Sequence, residues 1–258
     1  MRRKPSKLVI AVAAVAAVVA VAAWALSGGG RDKPSLGLFT TLPIYWAETA
    51  ALSDMLDRKA PTGWTRAALE RRFELVPLDT LAAPEGSAAL DLTDVDYVLL
   101  AQPRALSPQE NVALDAWVRK GGHALIFADP LLTAHSRFSI GDRRRPQDVA
   151  LLSPILGHWG LEMRFDPDQQ GGERTIETDL APLPVNLAGT LHPLDGFPTS
   201  EEQCWIAYDR VFAQCAIGSG VATVVADAAL FEEAPDGEGD ARAEALDWLT
   251  GTAFAGDR

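Results

Sequence analysis

The feature that most restricts this chain is a run of 19 residues, 8–26, reading LVIAVAAVAAVVAVAAWAL, with no charge and no proline. As a helix at about 1.5 Å per residue it would span roughly 28 Å, close to the hydrocarbon thickness of a bilayer. It has no polar stripe with which to lie on a globule. Arg2, Arg3, Lys4 and Lys7 precede it, and the positive-inside rule then puts the N-terminus in the cytoplasm and everything after Ser27 outside it. The expected organisation is a cytoplasmic basic segment (1–7), a transmembrane helix or signal anchor (8–26), a glycine-rich linker (27–35) and an exported domain (36–258). That makes the chain a single-pass inner-membrane protein with its bulk in the periplasm. Ala23-Trp24-Ala25 keeps a second reading open, because small-x-small is the pattern at which a signal peptide is cut.

Composition narrows what the exported part can do. With 48% hydrophobic and 22% charged residues it has the make-up of a globular domain. Setting the four N-terminal basic residues aside leaves 19 basic against 35 acidic residues, a net charge of -16. Such a surface repels a phosphate backbone, so a nucleic-acid partner is not expected. Cys204 and Cys215 are too few for a cysteine scaffold or a four-cysteine zinc site. His123, His135, His158 and His192 lack metal-binding spacing. No phosphate-cradling glycine motif occurs, and neither cofactor nor metal is expected.

The order of elements predicts an α/β fold with a doubly wound, mostly parallel sheet. Residues 36–40 form a first strand. A helix follows, with Ala51, Leu52, Met55 and Leu56 on one face, then a helix over 64–72 and a strand over 73–78. Residues 96–101 are apolar nearly throughout, as in a strand covered on both faces. Ser107-Pro108-Gln109-Glu110 is a capping box with proline at the first helical position. Leu114, Trp117 and Val118 continue that helix, Gly121-Gly122 ends it, and 124–128 is the next strand. Residues 151–159 carry a helical stripe that is kinked at Pro154 or starts with Ser153 as N-cap. Residues 161–165 form another strand. Loops and short strands fill 167–200, a β-hairpin spans 205–215, and a last strand covers 221–226. Asp240 is the expected N-cap of a closing helix.

Residues 106–130, LSPQENVALDAWVRKGGHALIFADP, resemble the auxiliary domain of ABC-type transport systems, a family that includes the gliding-motility auxiliary proteins. The shared pattern is the Leu-Ser helix start, the Ala-Leu-Asp-Ala-Trp-Val helix, the glycine pair, and an apolar strand ending in Asp-Pro. The opening strand, helix and strand over 36–78 are similar too. The resemblance implies a flavodoxin-like sheet of the class I glutamine amidotransferase kind. It also implies a non-enzymatic accessory role beside an ABC permease or ATPase in the inner membrane. An amidotransferase would carry a cysteine on a tight strand-to-helix turn between glycines, and no cysteine of this chain is so placed.

In a doubly wound sheet, ligands bind beyond the carboxyl ends of the strands. Those ends carry Thr40, Thr41, Gln102, Pro103, Asp129 and Asp227, although an Asp after a strand also serves as a turn former. His135 and Ser136 lie nearby in sequence, and with Asp129 they define an alternative: an exported hydrolase acting on envelope material. No Gly-x-Ser-x-Gly elbow supports it. Arg143, Arg144 and Arg145 stand out on so acidic a chain. They are either a solvated run paired with local acids or an anion- or partner-docking loop, and the latter would make the domain a periplasmic small-anion sensor. Cys204 and Cys215 are symmetric about Asp209-Arg210, so a symmetric hairpin sets them opposite one another. They form either a disulfide, which export permits, or two buried thiols.

Overall fold

A computed structural model of the chain describes residues 33–46, 48, 63–84, 86–195, 202–232 and 239–255. The expected segments 1–7 and 8–26, most of the linker 27–35, and the helix through Ala51 and Leu56 lie outside the described residues. Among the described residues no helix is long and apolar enough to cross a membrane.

In chain order the elements are β1 (Ser35–Thr40), α1 (Trp64–Arg72), β2 (Glu74–Pro77), β3 (Tyr97–Ala101), α2 (Pro108–Arg119), β4 (His123–Phe127), α3 (Ser153–His158), β5 (Leu161–Arg164), β6 (Arg174–Ile176), β7 (Leu183–Val185), β8 (Thr190–Pro193), β9 (Glu202–Ala207), β10 (Phe212–Ile217), β11 (Gly220–Val225) and α4 (Gly239–Ala253). The main sheet has seven strands in the order β2-β1-β3-β4-β11-β10-β9. The first five run parallel, and β10 and β9 complete the sheet antiparallel.

Side-chain alternation divides the core in two. Leu36, Leu38, Leu99, Leu125 and Phe127 face one side, where Leu69 of α1 and Leu246 and Leu249 of α4 cover them. Phe39, Val98, Leu100 and Ile126 face the other, under Leu114 and Val118 of α2 and Ile155 and Leu156 of α3. Helices therefore cover both faces, which is why β3 and β4 are apolar at nearly every position. Pro34–Arg258 forms one compact unit by its internal contacts.

Local chemistry explains the best-defined helix. The Ser107 hydroxyl accepts from the Glu110 N–H and the Glu110 carboxylate accepts from the Ser107 N–H. The same buried carboxylate also takes two bonds from Arg104 and one each from Thr80 and the Leu81 N–H. Burial alone would raise its pKa, but the Arg104 fork and these donors hold it down to about 2. Gly121, at φ +110°, takes the left-handed turn that stops α2.

Several expectations need correction. Ser153 is the first residue of α3 and Leu152 precedes it as N-cap, with no side-chain cap. Asp240 lies inside α4, which begins at Gly239. The strand expected over 161–165 is present as β5, and it pairs antiparallel with β8 outside the main sheet. The hairpin expected over 205–215 is present as β9–β10, and β11 joins it to the main sheet beside β4.

Candidate functional site at the carboxyl edge of the sheet

Numbered along the parallel strands, the order is 2-1-3-4-5, so the winding reverses between β1 and β3. The crevice expected there is occupied by the protein's own polar groups. Thr40 Oγ1 donates to the Ala101 carbonyl and Thr41 Oγ1 to the Gln102 carbonyl. Gln102 is buried, with φ +45°. Its amide nitrogen donates to the Asp129 and Gln147 carbonyls, and its amide oxygen accepts from the Asp129 N–H. Thr41 also accepts from the Gln147 N–H. These bonds fasten the loop after β4 across the switch point.

Beside the crevice lies a pair of buried carboxyls. Phe127 and Val225 are register partners at the ends of β4 and β11. Asp129 and Asp227 each stand two residues further on, at matching positions. Every carboxyl oxygen accepts a backbone N–H: Asp129 from Leu131 and Ala228, Asp227 from Ala229 and Asn186. Burial pushes the Asp129 carboxyl up to about 7, opposed by its amide bonds and aided by the Glu232 charge. Burial, then the charge of Asp129, pushes Asp227 well above the usual carboxylate range. Two desolvated carboxyls this strongly coupled resist ionising together, so the pair retains a proton near neutral pH. Glu232 joins the network through Thr133 and Asn186. With all four oxygens committed to amides, the pair can hold or release a proton and can latch the loops after β4, β7 and β11. Among the described residues no group of three or more His, Cys, Asp or Glu side chains could hold a metal ion.

The remaining candidates are scattered over the loop that follows. His135 is exposed. Ser136 donates to Glu48, and Arg137 faces the same carboxylate. No hydrogen bond joins Asp129, His135 and Ser136. Arg144 is paired with Asp142 and lies over the Phe138 ring, and Arg145 is paired with Asp148 and the Phe138 carbonyl. Arg143 is exposed. Cys204 and Cys215 are joined in a disulfide across β9 and β10 at directly opposed positions.

Sequence reasoning missed Asn186, Glu232 and the buried Arg242, which donates to Glu173 and to the Ala229 carbonyl beside Asp227. A signal for the carboxyl pair does exist: Phe127-Ala128-Asp129 and Val225-Ala226-Asp227 repeat one strand-end pattern.

Fold and edge together define a doubly wound α/β domain whose switch-point crevice is laced shut by its own loops. Residues 33–172, more than half of the chain, match the family described as an ABC-type uncharacterized transport system, and the chain belongs to that family. No curated protein matches it. Among solved structures, exo-beta-1,4-mannosidase Op5Man5 from Opitutaceae bacterium strain TAV5 is 11% identical, over 88% of this chain and 37% of that one, with a TM-score of 0.46. A beta-galactosidase from Rahnella sp. R3 is 15% identical, over 86% of this chain and 31% of that one, with a TM-score of 0.45. This chain thus spans about a third of each glycosidase. The mmIFT52 N-terminal domain is 12% identical, over 86% of this chain and 98% of that one, with a TM-score of 0.50. At that identity the likeness concerns the fold alone.

Proposed function

We propose that this chain is a non-enzymatic, membrane-anchored accessory component of an ABC-type transport or envelope complex. The observation that carries the reading is the family match over residues 33–172. The uncharged run at 8–26, with basic residues before it, supports a single-pass anchor in the inner membrane and a domain on the periplasmic side. A disulfide between Cys204 and Cys215 suits an oxidising compartment. Its formation also leaves neither sulfur as a thiol nucleophile, which supports an amidotransferase-like sheet put to a non-catalytic use. The partner in this reading is a permease or ATPase of the transport system. Crosslinking in intact membranes followed by affinity capture tests it, and a transporter subunit should be recovered.

A further inference from the structure

Acidic side chains are almost never fully buried unless a cation pairs with them, yet the carboxyl edge of the main sheet buries two together. Asp129 is fully buried and Asp227 is 2% exposed. They stand at matching positions beyond the register pair Phe127↔Val225, on neighbouring strands. Asp129 accepts from the N–H of Ala228, the residue after Asp227, so the two carboxyls share one site. Among the described residues no cationic side chain bonds either of them.

The groups around the pair come from every element packed on it. After β11, Glu232 faces it with a like charge. From α4, Arg242 reaches the Ala229 carbonyl but is paired with Glu173. Thr133 after β4, Asn186 after β7 and Gln102 after β3 carry no charge. Two desolvated carboxylates with no counter-ion cannot both ionise in place. Their four amide donors, Leu131, Asn186, Ala228 and Ala229, belong to the three loops after β4, β7 and β11.

One of these loops is packed lightly. Between Leu131 and Val149, Pro146 is the one buried residue, and Ile140 is 87% exposed. Gln102 and Thr41 hold this loop across the switch point through Gln147. The strands beneath it, β3 and β4, are covered on both faces. Parting the loops exposes far less apolar surface than unfolding the sheet, so the two can occur separately.

We propose that the Asp129–Asp227 pair is a proton-operated latch: while it holds a proton it ties the loops after β4, β7 and β11 together, and loss of that proton parts them and opens the crevice between β1 and β3. Access to Thr40, Thr41 and Gln102 then depends on the pH of the medium, whichever partner the domain serves. Burial lifts Asp129 to about 7, and burial with the Asp129 charge lifts Asp227 well above the usual range. Once the loops part, both carboxyls meet solvent and ionise near their ordinary value, so opening releases a proton throughout the interval between that value and the raised ones. Within it each pH unit favours the open form about tenfold per proton released, and the gain levels off once the closed pair is itself ionised.

Hydrogen–deuterium exchange of the full chain in detergent, at intervals from pH 5 to pH 8 and corrected for the intrinsic effect of pH, tests the latch at the amides that bond the pair. Peptides containing Leu131, Asn186, Ala228 and Ala229 should be at least about tenfold less protected than those of β3 and α2, and should exchange about tenfold faster or more at pH 8 than at pH 5. Protection equal to that of β3 and α2 overturns the proposal, because these loops then open only with the whole fold. Exchange that is unchanged or slower at pH 8 overturns it too, since a pair ionising in place would grip its N–H donors more tightly. Asp129→Asn leaves one carboxyl to ionise and should shrink the gain several-fold, and an undiminished gain counts equally against the latch. If that variant does not fold, Glu232→Gln decides. It keeps an acceptor for Thr133 and removes the like charge, so the gain should level off at lower pH than in wild type, and a profile that does not move overturns the proposal.

Discussion

Replacing Asp129 by asparagine should flatten the pH dependence of this domain's stability. The side chain is fully buried, and burial lifts its carboxyl from 3.8 to about 7. A folded-state pKa raised above the unfolded value contributes stability that is complete below the unfolded value and lost as pH rises through the folded one. From pH 5 to pH 8 the wild-type protein should lose stability through Asp129, on the order of 3 kcal/mol. Asp227 is shifted in the same direction, by burial and then by the Asp129 charge, and steepens the loss. His192, lowered chiefly by burial, acts in the opposite sense, so the informative quantity is the difference between wild type and variant. In Asp129→Asn one backbone N–H loses its acceptor and the titration disappears. The variant should therefore be clearly less stable than wild type at pH 5 and close to it at pH 8. Urea denaturation at both pH values, with unchanged m-values, reads this directly. A wild-type protein as stable at pH 8 as at pH 5, with the variant running parallel to it, would refute the buried pair as described.

Glu110→Gln should cost roughly 3 kcal/mol at pH 7, because it discards a carboxylate held at about 2 with only 4% of its side chain exposed. That stability is present above the unfolded value and is lost as pH falls through about 2, so wild type and variant should converge in acid denaturation. Replacing both Cys204 and Cys215 by alanine should lower stability by about 3 kcal/mol for a loop of this size, measured by denaturation without reductant. Gly220→Ala should destabilise by at least about 2 kcal/mol, since a Cβ there would run into the carbonyl oxygens of Val118 and Gly122 at the end of α2, and thermal unfolding would report it.

Much of the fold was legible because it is local. The capping box at Ser107 and Glu110, the glycine stop at Gly121 and the apolar runs of β3 and β4 specify their elements within a few residues. The opposition of Cys204 and Cys215 followed from their symmetry about Asp209-Arg210. The turn itself spans residues 208–211 and uses three left-handed, non-glycine positions that no turn rule anticipates. Placing β11 beside β4 depends on pairing residues nearly 100 positions apart, and periodicity carries no such information. The pairing of β5 with β8 was hidden for the same reason. At the carboxyl edge, each strand-end residue was visible singly. What could not be read was their mutual use: Gln102 spanning to Asp129 and Gln147, or Asn186 closing on Asp227 across 41 positions. The accounting of buried polar groups that joins them exists only once the strands are neighbours.

Under the proposed function, this domain works by being held at the membrane beside a transport partner. The most direct measurement of this is photocrosslinking of the full chain in native membranes, from positions on the domain surface, followed by capture under denaturing conditions and mass spectrometry. The account predicts crosslinks to a permease or ATPase subunit of an ABC-type system. Recovery of only lipid and abundant envelope proteins, from every position tried, would contradict it.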